Sequence, residues 1–188
     1  MERLGQFGGL DYASGMFTIR PADAADADGV AAFAARTFRD TFGQDNSVED
    51  MSAYLASAYG ADKQTVELSS PDVLTLLAEE GGATIAFAMV RRNGPMPACV
   101  TEPDPVELWR FYVDRPWHGR GVAPVLMDAA IDAARALGGR SIWLGVWERN
   151  ARAIAFYRKH AFVDVGSHDF MVGSDRQTDR VLVYHLMP

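Results

Sequence analysis

Cysteine is almost absent from this 188-residue chain, and Cys99 stands alone. A single thiol closes no internal disulfide and builds no cysteine metal cluster; it fits a reducing compartment. Long apolar runs are missing too. No window reaches the roughly 18 apolar residues that a membrane-spanning helix needs. The opening stretch, MERLGQFGGLDYASG, lacks an apolar segment of signal-peptide length. The expectation is a cytoplasmic protein with no membrane partner. Positive charge is in deficit, with 18 Lys and Arg against 25 Asp and Glu, a net charge of -7. Such a chain gains no electrostatic help on a phosphate backbone, which argues against nucleic acid as a partner. A cationic substrate is compatible with that charge.

What is present is an ordinary globular balance, 48 % hydrophobic and 23 % charged. The length suits one domain and is short for two. Residues 1–15 are glycine-rich and aperiodic, and read as a flexible arm or an edge element ahead of a single domain over 16–188. Met16 to Arg20 alternates like a strand. After Pro21, Asp23 is a plausible helix N-cap, and Val30, Phe33, Ala34, Thr37, Phe38 and Thr41 recur at helical spacing. Ser47-Val-Glu-Asp has the form of a capping box before a second helix, with Met51, Tyr54, Leu55 and Ala58 on one face. Asp62 to Ser69 adds a short helical turn.

Beyond Pro71 the period changes to two. Val73 to Glu79 and Ala83 to Arg91 read as a hairpin around Gly81-Gly82. Asn93 to Pro105 holds four prolines and is a loop. Val106 to Val113 is a strand, Gly121 to Leu137 a helix, Ser141 to Trp147 a buried strand and Asn150 to His160 a helix. Phe162 to Val172 and Arg180 to Met187 close the chain as a strand pair. A strand–helix–strand unit among hairpins predicts an α/β (α+β) fold: a mixed, mostly antiparallel sheet of six to seven strands flanked by helices.

The chemistry-bearing feature is Trp117-His118-Gly119-Arg120-Gly121-Val122-Ala123, between a strand and a helix. Two glycines permit positive φ and close backbone approach. The helix start offers unpaired N–H groups and the positive end of its dipole, an anion site suited to a pyrophosphate. Pro124 costs little there, because first-turn amides have no intrahelical acceptor. Arg120 adds a charge able to reach a phosphate. The same pattern also serves as a bare turn. A dinucleotide loop of the G-x-G-x-x-G type would need a third glycine, which is absent.

ELWRFYVDRPWHGRGVAPVLM resembles the first signature of the GNAT superfamily of N-acetyltransferases, a strand feeding an [R/Q]-x-x-G-x-[G/A] loop and a helix. Gly121 and Ala123 match, and His118 replaces the usual Arg or Gln. WLGVWERNARAIAFYRKHAF resembles the second signature through Asn150, Ala153, Phe156, Tyr157 and Phe162, with Ala161 where glycine is usual. The two occur in the expected order over about 55 residues, and the element order extends the resemblance to nearly the whole chain from Met16. TFRDTFG and ELWRFYV are most similar to bacterial polyamine-type acetyltransferases.

The resemblance implies acetyl-CoA as co-substrate, an amine acceptor, no metal, and strands that splay at the coenzyme site; a homodimer is compatible with it. It implies that amides from His118, Gly119, Arg120, Gly121, Val122 and Ala123 hold the pyrophosphate. It implies further that the backbone of Phe111, Tyr112 and Val113 pairs with the pantetheine arm and polarises the thioester carbonyl. Asn150, Ala153 and Phe156 line the coenzyme, and Tyr157 stands beside its sulfur as the acid. Glu107 is the candidate base and Asp114 the second choice. Each residue has a plainer reading beside the functional one: Asn150 as an N-cap, Tyr157 as a core tyrosine, Glu107 in a salt bridge. Trp109 is expected to wall the substrate cleft and Trp117 to cover the coenzyme, with plain packing the alternative for each, and one of Trp143 and Trp147 belongs to the core. Asp40, Asp45, Glu49 and Asp50 form a solvated turn or an attractor for a cation. A non-catalytic acyl-CoA sensor is the alternative on the same fold.

Overall fold

The computed structural model describes residues 16–186, together with the backbone of residues 12–14. The strands are β1 (Tyr12–Ser14), β2 (Phe17–Pro21), β3 (Val73–Glu80), β4 (Ala83–Arg91), β5 (Pro105–Val113), β6 (Ser141–Trp147), β7 (Val163–Val172) and β8 (Asp175–His185). The helices are α1 (Ala27–Phe42), α2 (Val48–Ala58), α3 (Ala61–Ser69), α4 (Val122–Ala136) and α5 (Ala151–Lys159). One eight-stranded sheet runs in the order β1-β2-β3-β4-β5-β6-β8-β7. Among the described residues only β5 and β6 pair in parallel, and α4 is their crossover. A parallel pair needs such a crossover, so a helix start is carried to the sheet's middle.

The seven expected strands are present, and β1 is an eighth: the segment read as an arm or an edge element carries an edge strand on β2. Two further expectations need correction. The turn at Asp62 to Ser69 is the whole helix α3, whose inward face carries buried Gln64 and Glu67, polar residues that hide its amphipathic pattern. The last strand begins at Asp175 and not at Arg180. Residues 175–179 are polar, so they lack the apolar alternation that marks a half-buried strand.

Alternation in β4 divides the core between two faces. Ala86, Ala88 and Val90 face α4 and α5, and Phe87 and Met89 face α1 and α2. The small alanines let α4 lie close, with Ala129, Ala130, Ala133 and Ala134 buried against them. Asp23 caps the turn that leads into α1, and its backbone N–H donates back to Asp26. Ser47 caps α2. Asp50 does not complete a capping box; its carboxylate accepts from the N–H and hydroxyl of Ser174, tying α2 to the β7–β8 turn. Among the described residues no helix is long and apolar enough to cross a membrane.

Candidate active site

β5 and β6 pair at Pro105↔Ser141, Val106↔Ile142 and Glu107↔Trp143, and there the ladder ends. Both strands run on, to Val113 and Trp147, so the sheet opens into a cleft of about 1100 Å³. A bulge in β5 shapes one wall. Met89 pairs with Arg110 and Val90 with Leu108, leaving Trp109 unpaired. A bulge places two successive side chains on one face. Trp109 and Arg110 therefore both face α1–α3, and Phe111 faces α5.

The cleft's outer end is the glycine loop. Gly119 and Gly121 have φ of 76° and 82°, a region that residues with a Cβ avoid. The amides of His118 and Arg120 are engaged in the loop's own turns, at 3.2 Å to Arg115 O and 3.3 Å to Trp117 O. Of the six amides expected to serve an anion, those two are thus spoken for. The amides of Gly119 in the loop and of Gly121, Val122 and Ala123 at the start of α4 have no such turn bond among the described residues. The side chain of His118, which replaces the usual Arg or Gln, is a strut. Its Nδ1 accepts from Arg152 at 2.5 Å, so Nε2 carries the proton and donates to Val113 O at 2.9 Å. It joins the end of β5, the loop and α5. Asp114 is held by two bonds from Arg36, which keeps its carboxyl below the usual range.

Asn150 caps α5 through Ala153 N at 3.1 Å and also lines the cleft. α5 ends in a paired closure: Phe162 N donates to Tyr157 O and Ala161 N to Arg158 O. The Phe162 ring meets Tyr157 edge-on at 5.7 Å, and Phe111 meets it from β5 at 6.4 Å. This aromatic clasp fixes the Tyr157 ring. Its hydroxyl has no hydrogen-bond partner among the described residues, and it lines the cleft. Burial pushes its pKa well above the ordinary tyrosine value, so it is protonated at neutral pH. Tyr112, expected for the coenzyme through its backbone, turns its side chain the other way. Its hydroxyl lies 3.1 Å from that of Tyr59.

Glu107, at the vertex of the opening, is buried and ion-paired with Arg91. Burial raises its pKa, and Arg91 opposes the rise. Trp109 lies between two guanidinium groups, 3.7 Å from Arg91 and 4.1 Å from Arg110. Arg110 is itself buried and held by Glu67, Gln64 and Ala58 O. Trp143 is core, and Trp147 is half-buried in the cleft against Phe42. The acidic residues near the α1–α2 break face solvent, apart from half-buried Asp50. One cleft residue had no sequence signal at all: Asp179, buried on the polar front of β8.

The Acetyltransferase (GNAT) family model matches residues 35–162. An uncharacterized N-acetyltransferase of Lactobacillus delbrueckii subsp. lactis is 32 % identical over 151 residues, 80 % of this chain and 87 % of that one. An uncharacterized N-acetyltransferase of Mycobacterium bovis is 30 % identical over 162 residues, 86 % of this chain and 99 % of its own. Among solved structures, the PaiA N-acetyltransferase of Thermoplasma acidophilum, in complex with coenzyme A, superposes with a TM-score of 0.71 at 20 % identity, covering 90 % of this chain and 99 % of that one. Family match, relatives and fold agree, and the chain belongs to the acetyltransferase (GNAT) family of acyl-transferring enzymes.

Proposed function

We propose that this protein transfers the acetyl group of acetyl-CoA directly to a primary amine, within a single domain over residues 16–188. The observation that carries the reading is the opened β5–β6 pair, with free loop amides at one end and the unpartnered Tyr157 hydroxyl inside it. Four amides and a helix start suit a pyrophosphate, and the unpaired edge of β5 suits the amides of a pantetheine arm, as an added strand would. The relative from Thermoplasma acidophilum was crystallised with coenzyme A, which supports that assignment. When bound, acetyl-CoA supplies an activated acyl group. The chain's part is to orient it, to direct backbone donors of Phe111 to Val113 at the carbonyl, and to manage protons.

Tyr157 is the proposed acid, since a hydroxyl kept protonated by burial is ready to donate to a leaving thiolate. Glu107 is the proposed base for the proton lost as the N–C bond forms. Asn150, Ala153 and Phe156 line the coenzyme's path. The proposed setting is the cytoplasm.

Steady-state kinetics test these roles. Tyr157→Phe lowers kcat, near the lower end of the roughly 10²–10⁴-fold range for acid–base groups, with the KM for acetyl-CoA little changed. Glu107→Gln lowers kcat at neutral pH, with partial recovery at high pH. An unchanged pH–rate profile in that variant removes Glu107 from the role, and an unchanged kcat removes Tyr157.

A further inference from the structure

A primary alkylamine at pH 7 is almost wholly ammonium, with about one part in 10³ neutral if it titrates like lysine. It sheds two protons on the way to an amide. Glu107 is proposed for the later one. The earlier one, which must leave before nitrogen can attack, has no acceptor in that scheme.

Asp179 stands where such an acceptor is needed. It lies on β8 opposite Trp147 of β6 and His168 of β7, on the sheet face that carries Glu107 and Trp143. Its carboxylate is buried, opens onto the cleft, and makes no hydrogen bond or ion pair among the described residues. A buried carboxylate without a partner is costly, and such costs persist where a ligand completes the site. Gly145 of β6 makes room for it: a Cβ there would stand 3.1 Å from Asp179 Oδ2 and 2.8 Å from His168 Nε2. The walls are aromatic. Trp147 meets Phe42 edge-on at 5.8 Å, and Tyr54 meets Phe170 at 5.6 Å. Aromatic rings that line one cleft with a carboxylate suit an alkylammonium ion.

We propose that Asp179 receives the acceptor as an alkylammonium ion over Gly145 and takes its first proton, a role that rests on the acetyltransferase reading above. One N–H bond breaks, the electron pair stays on nitrogen, and the proton goes to Oδ of Asp179 and then to solvent. The neutral amine is left beside the β5–β6 opening. The groups facing Asp179 are Glu148 at the end of β6, His168 on β7, and Tyr54 on α2. Burial first, and Glu148 second, push its carboxyl up to about 7, close to the working pH favoured for a base.

The test has a binding arm and a turnover arm, both on the full chain. Calorimetry at pH 7.5 with coenzyme A present compares 2-phenylethylammonium with its neutral analogue 2-phenylethanol. The wild type should prefer the ammonium at least tenfold, and Asp179→Asn should lose the preference while still binding coenzyme A. Turnover compares alkylamines with aniline, which arrives neutral. Asp179→Asn should lose about 10²-fold in kcat/KM on alkylamines and keep its rate on aniline. The rise of kcat/KM through pH about 7 should vanish with it. A wild type without ammonium preference, a variant that retains it, or equal losses on both amine classes would overturn the proposal. Ammonium binding as expected without acetyl transfer to any amine would instead overturn the acetyltransferase reading, because the binding arm judges Asp179 by itself.

Discussion

Ala161 holds a left-handed backbone, φ 63°, where the related motif has glycine. The paired closure of α5 demands that conformation, and a Cβ there costs about 1–2 kcal/mol. Ala161→Gly relieves the strain and gives back part of it as unfolded-chain entropy. Urea unfolding should show a gain of about 0.5–1 kcal/mol; a loss would mean that the closure does not strain Ala161. Asp179 makes a second stability prediction. Its folded pKa of about 7 lies above the ordinary 3.8. Between those values the folded state holds a proton that the unfolded state has lost, so stability falls as pH rises through that window. The full shift corresponds to roughly 4 kcal/mol as an upper bound. Asp179→Asn should therefore be more stable than wild type at pH 8 and about equal at pH 4, by denaturant unfolding at both. A variant less stable at pH 8 would contradict the unpaired, buried carboxylate. Neither feature was fully legible in the sequence. Ala161 stood out as a departure from the motif, whereas Asp179 belongs to no motif and gains its meaning only from Gly145 and Trp147 across the strands.

At the scale of elements, the glycine loop was the most legible part, because its chemistry is local: positive φ and a helix start follow from sequence neighbours. Even there the structure adds contacts that no local pattern carries: the amides of His118 and Arg120 are engaged in turns, and the His118 ring is a strut. Gly121 tests the loop. Among the described residues nothing lies within 4 Å of a Cβ placed there, so its substitution acts through the backbone. At φ 82°, Gly121→Ala should shift the free amides and raise the KM for acetyl-CoA about tenfold, consistent with roughly 1–2 kcal/mol of strain, with kcat at saturation little changed. An unaltered KM would place the coenzyme elsewhere. The bulge at Trp109 and the polar front of β8 were not legible, since each is defined by pairing with a distant strand. Residues 175–179 offer no apolar alternation because they face the cleft or solvent.

For the whole molecule, function follows from one topological fact. A parallel pair inside an otherwise antiparallel sheet separates after three residues, and the cleft between its strands is reached from both faces. From the α4–α5 face come the loop amides and Tyr157; from the α1–α2 face come Glu107, Asp179 and the aromatic walls. In the proposed reaction, donor and acceptor meet through the sheet. The order of elements made the sheet readable, but the point of separation depends on register, which no local pattern carries. The most direct measurement is thiol release from acetyl-CoA by the wild-type protein, with and without a panel of primary alkylamines, with mass spectrometry of the amine products. Amine-dependent thiol release matched by an N-acetylated product is expected. Binding of acetyl-CoA with no amine-dependent release across the panel would contradict the assignment of an N-acetyltransferase activity to this cleft.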